Sequence, residues 1–96
     1  MNIIIVGAGN IGSLLAQTIS NLGHKVTIIE KNFEAASSLP RGRVNSGVLK
    51  VIHSDGSTAS AMIEADVANA EVFIAATGKD SLNGLTAQKA KTIFGI

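Results

Sequence analysis

The sequence predicts an α/β fold, a Rossmann-like, doubly wound parallel β-sheet with helices on both faces. Short apolar runs alternate with stretches of helical periodicity along the chain. A turn at residues 7–12, with the pattern G-x-G-x-x-G, joins the first apolar run to the first helical stretch. The second run ends in a carboxylate, Glu30, which lies 18 residues after Gly12. The strand, helix and acid around it make this glycine pattern specific, whereas the pattern alone is weak.

Strands are predicted at residues 3–6, 25–30, 48–53 and 71–76, and helices at residues 11–22, 33–39, 57–65 and from 80 onward. Gly23 is placed to end the first helix and Pro40 to stop the second. Residues 41–47 are predicted to form a polar loop, in which Arg41 and Arg43 are either solvated or within reach of a phosphate.

Repeated βα units joined by right-handed crossovers produce parallel strands. The expected strand order is 3-2-1-4, and a ligand is expected across the carboxyl ends of the strands. A full dinucleotide-binding fold has six strands. With about four strands, the chain is predicted to hold an incomplete version of that fold.

Each glycine of the turn has a predicted role in nucleotide binding. Gly7 allows a sharp turn, Gly9 lets a pyrophosphate approach the backbone, and Gly12 permits close packing of the first helix. The unpaired N–H groups of the first helical turn favour an anion without a basic side chain. The alternative is that these glycines only form a tight connection between strand and helix.

The carboxylate of Glu30 is expected to accept hydrogen bonds from the hydroxyls of an adenosine ribose. A 2′-phosphate would meet like charge there, which argues against NADP, although the neighbouring Lys31 weakens that argument. The alternative is an exposed carboxylate that caps a loop.

Two later strand ends also provide polar or small residues. Asp55 after the third strand is predicted either to contact an adenine or to cap the following helix, and Ser57 is a second candidate cap. His53 is expected to have no chemical role. After the fourth strand, small residues leave room for a ribose, and Thr77 or Gly78 is placed to contact it. The alternative there is a plain βα loop.

Length and composition predict one domain, residues 1–96. The net charge of +1, with three Phe and no Trp or Tyr, argues against a nucleic-acid partner.

The absence of cysteine excludes disulfides and thiolate metal sites. No apolar run approaches the roughly 20 residues of a membrane span, so direct membrane insertion is not expected. No catalytic constellation is evident, and the chain is predicted not to be an enzyme.

Two segments point to a family. Ser-Asp-Gly-Ser at residues 54–57 follows the third strand, and Ala-Ala-Thr-Gly-Lys-Asp, continuing to an asparagine at residue 83, follows the fourth. The glycine turn and Glu30 also fit ordinary dehydrogenases, but these later segments do not. Over nearly its whole length the chain resembles the N-terminal nucleotide-binding domain of TrkA/KtrA-type potassium-transport regulators, called the RCK N-domain or TrkA-N domain.

The resemblance implies a regulatory ligand, either NAD(H) or ATP/ADP. Together with the residue-level analysis it predicts a binding site of twelve residues: Gly7, Gly9, Asn10, Ile11, Gly12, Glu30, Lys31, Asp55, Gly56, Ala76, Thr77 and Gly78. No metal site is predicted. The resemblance further implies a homo-oligomer, a dimer or a higher ring, on the cytoplasmic face of the membrane. There it would associate with a membrane-embedded potassium channel or transporter subunit and gate transport by a conformational change.

Two features depart from the family. The polar, glycine-containing segment 41–47 lies where the family often continues a helix, and the chain ends before the later strands. Two other functions remain open. One is the cofactor-binding domain of an NAD-dependent dehydrogenase or reductase, and the other is a nucleotide-binding fold that has lost its ligand.

Overall fold

The computed structural model describes residues 1–40, 42, 44, 46–77 and 80–94. Its strands are β1 (Asn2–Val6), β2 (Lys25–Glu30), β3 (Leu49–His53) and β4 (Val72–Ala75). Its helices are α1 (Asn10–Asn21), α2 (Phe33–Ser37), α3 (Ala59–Glu64) and α4 (Asp80–Phe94), and a short 3-10 helix (Val67–Asn69) precedes β4. Within this part of the chain, no helix has both the length and the apolar character that a bilayer span requires.

The four strands form one parallel sheet in the order β3-β2-β1-β4, which confirms the predicted fold class and strand order. β1 lies at the centre, where Ile5 is in register with Ile28 of β2 and Ile74 of β4. Because all strands run the same way, their carboxyl ends meet at a single edge of the sheet, and the loops that follow them lie side by side.

The sheet is covered on both faces, so β1 is apolar at consecutive positions. Ile3 and Ile5 pack on one face, against the layer that includes Ala16 of α1. Ile4 and Val6 pack on the other face, in the layer that includes Met62 of α3. Burial of each such side chain contributes about 1.5–3 kcal/mol to stability, so the two apolar layers hold the central strand in place.

The end of α1 follows the prediction. Gly23 has a φ of +92°, a left-handed conformation that glycine adopts without strain. Its N–H donates to the carbonyl of Ser20 at 3.1 Å. The helix therefore ends in a glycine-dependent turn, as expected of a residue just after a helix.

The segment after Pro40 differs from its prediction. Gly42 and Val44 are helical, the Val44 N–H donates to the Pro40 carbonyl at 3.2 Å, and the Ser46 N–H donates to the Gly42 carbonyl at 3.1 Å. Proline is tolerated in the first turn of a helix because its missing N–H would be unpaired there anyway. The predicted polar loop is therefore wrong for Gly42 and Val44, whereas Ser46 and Gly47 form a turn. Arg41 and Arg43 lie outside the described residues.

In the connection between β1 and α1, the backbone of Gly12 packs directly against that of Gly7. A Cβ atom on Gly12 would lie 1.8 Å from the carbonyl oxygen of Gly7, so the start of α1 rests directly on the turn. Gly84, by contrast, lies in α4, where an added Cβ would meet no atom within 4 Å.

We expect Gly12→Ala to lower the free energy of unfolding by at least about 2 kcal/mol, because backbone atoms cannot move away as a flexible side chain can. Gly84→Ala serves as the matched control, and alanine's higher helix propensity should leave stability unchanged or raised by up to about 1 kcal/mol. Urea unfolding followed by circular dichroism measures both. Equal midpoints for Gly12→Ala and the wild type would show that the turn is looser than described.

Candidate functional site

A cleft of about 430 Å³ lies at the carboxyl edge of the sheet. This volume is within the range of small-molecule sites. It is lined by residues from the ends of β1 and β2, the glycine turn, the loops after β2, β3 and β4, α2 and α4. These residues are Val6, Gly7, Gly9, Ile29, Glu30, Lys31, Asn32, Ala35, Asp55, Gly56, Ser57, Ala76, Thr77 and Thr86.

Eight residues of the predicted site line this cleft: Gly7, Gly9, Glu30, Lys31, Asp55, Gly56, Ala76 and Thr77. Their role in binding stays a prediction. Asn10 instead lines a neighbouring depression between α1 and α2. Ile11 is 69% exposed and does not line the cleft, and Gly12 is buried behind the turn. Gly78 lies outside the described residues.

A smaller depression of about 230 Å³ lies at the opposite edge, where residues such as Asn2 and Lys25 begin the strands. It includes neither the glycine turn nor the first turn of α1. Ligands of parallel α/β folds bind at the carboxyl ends of the strands. The carboxyl-edge cleft is therefore the candidate site.

Two glycines of the turn, Gly7 and Gly9, differ in whether the fold requires glycine at their position. Gly7 has a φ of +112°, and a Cβ atom there would lie 2.6 Å from the Ala76 carbonyl oxygen, so the fold itself requires glycine. Gly9 has a φ of −70°, which any residue can adopt, and its Cβ position is free of atoms within 4 Å. The fold does not require glycine at position 9, and the space beside it is open.

Gly9 is also the N-cap residue of α1, and no side chain caps this helix end. The first turn of α1 contains no acidic residue. The partial positive charge of the helix N-terminus is therefore not offset by a local carboxylate, and the N–H groups of the first turn remain donors. Such a helix end is suited to an anion.

Glu30 fastens the glycine turn to the end of β2. Its Oε1 accepts a hydrogen bond from the Ala8 N–H at 2.6 Å, and its Oε2 accepts one from the Asn32 N–H at 2.8 Å. A carboxylate has about four lone-pair sites, so each oxygen retains acceptor capacity. Glu30 therefore makes the loop contact that the sequence analysis gave as the alternative to ribose binding. The two hydrogen bonds also fix the orientation of the carboxylate at the cleft.

The loop after β3 is held by Asp55. Its Oδ1 accepts hydrogen bonds from the Ser57 N–H at 3.0 Å and the Ser57 hydroxyl at 2.6 Å. The cap of α3 is Thr58, whose Oγ1 accepts from the Ala61 N–H at 3.2 Å. The capping alternative for Asp55 and the prediction of Ser57 as a cap are wrong, because α3 begins at Ala59, two residues later than expected. The adenine contact of Asp55 stays a prediction.

Because Gly56 has no side chain, the loop after β3 can pack closely against Val6. A Cβ atom at this position would lie 2.5 Å from Cγ1 of Val6. The loop therefore rests on the last residue of β1, which places Asp55 and Ser57 beside the glycine turn.

Sequence reasoning did not identify Asn83 as a site residue, although the asparagine belongs to the segment that suggested the family. Its Oδ1 accepts from the Thr77 N–H at 2.8 Å and from the Thr77 hydroxyl, while its Nδ2 donates to the Thr77 carbonyl at 3.0 Å. A side-chain amide can both accept and donate, so one residue holds both backbone groups of Thr77. The available signal was its spacing, six residues after Thr77 on the next helix.

His53 also stabilises a loop at the cleft. Its Nε2 lies 2.9 Å from the Lys31 carbonyl oxygen, so Nε2 carries the proton and donates it. The ring meets Phe33 edge-on, with centroids 5.6 Å apart. These contacts join the end of β3 to the loop that carries Lys31, a structural role compatible with the expected lack of chemistry.

The parallel sheet, its order and the glycine turn at the carboxyl edge define a Rossmann-type domain. The model of the TrkA-N domain matches residues 3–96, and the chain belongs to this family.

Several relatives carry the name Trk system potassium uptake protein TrkA, or a homologue of it. The Pyrococcus abyssi homologue is 41% identical over 91 residues, which cover 95% of this chain and 38% of the relative. The Methanothermobacter thermautotrophicus homologue is 36% identical over 86 residues, which cover 90% of this chain and 38% of the relative. The Streptomyces coelicolor protein is 31% identical over 99 residues, which cover 100% of this chain and 41% of the relative. The chain thus spans about two-fifths of the length of these relatives.

We expect Asn83→Ala to lower the free energy of unfolding by about 1–3 kcal/mol, since it leaves polar groups of Thr77 without their partner. Amide hydrogen exchange at Thr77 should accelerate more than the global loss of stability explains. Leu85→Ala, on the same helix at a 69% exposed side chain, is the control and should change neither quantity. Unaltered exchange at Thr77 in Asn83→Ala would contradict the assigned clamp.

Proposed function

We propose that this chain is the nucleotide-sensing domain of a potassium-transport regulator, with residues 1–96 acting as one Rossmann-type unit. It binds NAD(H) or ATP/ADP at the carboxyl edge of the sheet. It associates, as a homo-oligomer on the cytoplasmic face, with a membrane-embedded potassium transporter or channel subunit. The names of the relatives support the transport role, and the cleft supports the ligand class.

The uncapped start of α1 beside the open Gly9 is the observation on which the ligand assignment rests. The fold needs glycine at positions 7 and 12 for steric reasons, but it has no such need at position 9. A diphosphate in that space would meet free N–H donors and the positive end of the helix dipole.

The adenosine half of the ligand is assigned to the ends of β2 and β3. Glu30 supplies acceptors for the ribose hydroxyls, and its two hydrogen bonds to backbone N–H groups orient the carboxylate beforehand. Asp55 and Lys31 also line the cleft and are assigned to the adenine and its surroundings.

Sensing is favoured over catalysis because the cleft's two carboxylates, Glu30 and Asp55, are already engaged in holding loops. Protonation of either carboxylate during a reaction would weaken a hydrogen bond that holds its loop. Regulation requires only that the nucleotide bind one arrangement of the assembly more tightly than another. The size of that difference in affinity sets how far transport can be shifted.

We expect the wild-type chain to bind NADH, ATP or ADP in calorimetric titrations, and Gly9→Val to weaken binding by about 10-fold or more. The valine side chain would occupy the space assigned to the diphosphate. The fold should survive, because position 9 has an ordinary backbone conformation and open surroundings.

Two variants control this comparison. Gly9→Ala adds one methyl group at the same place and should have an intermediate effect, whereas Gly84→Ala adds it outside the cleft and should bind normally. Competition between adenine nucleotides and NADH would support a sensor of the shared adenosine. Binding confined to NAD(H) would favour the dehydrogenase alternative, and full affinity in Gly9→Val would refute the diphosphate position.

We expect the wild type to bind ADP about 10-fold more tightly than 2′-deoxy-ADP, because the deoxy compound lacks a hydroxyl donor for Glu30. Glu30→Ala should reduce this preference to nearly 1, since it removes both acceptor oxygens. Comparing the two ligands within each variant separates ribose recognition from any general loosening of the turn. Equal affinities for both ligands in the wild type would exclude the ribose assignment.

A further inference from the structure

Thr86 is a buried residue of α4 that lines the cleft. It is 1% exposed, and its Oγ1 has no hydrogen-bond partner. Among the described residues, no other buried side-chain oxygen or nitrogen lacks a partner.

A free hydroxyl at this place is unusual. A threonine inside a helix commonly donates to the carbonyl of a residue one turn earlier, and Thr86 does not. Buried polar groups in native proteins are nearly always hydrogen-bonded, because an unmade bond inside the protein destabilises the fold. An apolar residue of the same shape, such as valine, would avoid this cost entirely.

The position of Thr86 indicates which part of a ligand it faces. The groups assigned to adenosine, Glu30 and Asp55, follow β2 and β3 on one side of the glycine turn. Thr86 belongs to the helix that follows β4, the strand on the other side of β1. A nucleotide whose adenosine lies at β2 and whose α-phosphate lies at the glycine turn would place its remaining atoms on the β4 side of the cleft, where Thr86 is.

We propose that Thr86 Oγ1 is a ligand-binding group that hydrogen-bonds an oxygen of the nucleotide beyond the α-phosphate. This inference rests on the proposed function. Two parts of an extended nucleotide could provide this oxygen. One is a β- or γ-phosphate, whose oxygens accept hydrogen bonds, and the other is the second ribose of a dinucleotide, whose hydroxyls donate and accept them. A threonine hydroxyl serves both, since it donates and accepts. Thr86 thus distinguishes extended nucleotides from AMP.

The test compares Thr86→Val, which keeps the shape and removes the hydroxyl, with Thr86→Ser, which keeps the hydroxyl. AMP, ADP, ATP and NADH are titrated calorimetrically against the wild type and both variants. Thr86→Val should weaken at least one extended ligand by about 3- to 10-fold and leave AMP unchanged, while Thr86→Ser should match the wild type. Weakening of ADP or ATP identifies a phosphate contact, and weakening of NADH alone identifies the second ribose.

Thermal unfolding without ligand provides a second measurement. Thr86→Val should melt at or above the wild-type temperature, because it removes an unpaired buried hydroxyl. A melting temperature clearly below that of both the wild type and Thr86→Ser would mean that the hydroxyl is needed by the fold, which would overturn the proposal.

Two binding outcomes separate the inference from the proposed function. If the wild type binds extended nucleotides and Thr86→Val binds them equally well, the role of Thr86 is overturned and the nucleotide site stands. If the wild type binds none of the four ligands, the proposed function and the role of Thr86 fail together.

Discussion

The close approach of Gly7 and Gly12 is the constraint on which the rest of this site depends. Because Gly12 has no Cβ, the first turn of α1 packs against the carbonyl of Gly7. Because Gly7 has none, the backbone of the glycine turn packs against the carbonyl of Ala76. The Ala8 N–H then lies within 2.6 Å of the Glu30 carboxylate. One tight connection thereby positions the ends of three strands and the start of a helix.

The loops of the carboxyl edge are held by polar side chains, two of which, Glu30 and Asp55, also line the cleft. Glu30 joins the glycine turn to the start of the α2 segment, Asp55 holds the loop after β3, and Asn83 holds Thr77. Glu30 and Asp55 thus both hold backbone groups and line the cleft. A cleft held in this way is ordered without a ligand, and a preorganised cleft loses little binding free energy to ordering.

The fold was predictable because its signals are local and repeated. An apolar strand covered on both faces is apolar at consecutive positions, and β2 was predicted with its observed bounds, Lys25–Glu30. The segment after Pro40 was not, because a proline that stops one helix also fits the first turn of the next. The cap of α3 was assigned to Asp55 or Ser57 rather than Thr58, since neighbouring residues able to cap a helix cannot be ranked by local preference.

By itself, the sequence determined the parallel α/β fold, the strand order and the place of the cleft, because periodicity and a turn that only glycine permits are properties of short segments. Tertiary structure decided the rest. It placed Ile11 outside the cleft, assigned Asn83 to the backbone of Thr77, and buried Thr86 without a hydrogen-bond partner at the cleft. These facts depend on which atoms of distant segments meet across the sheet edge, and no local pattern encodes those distances.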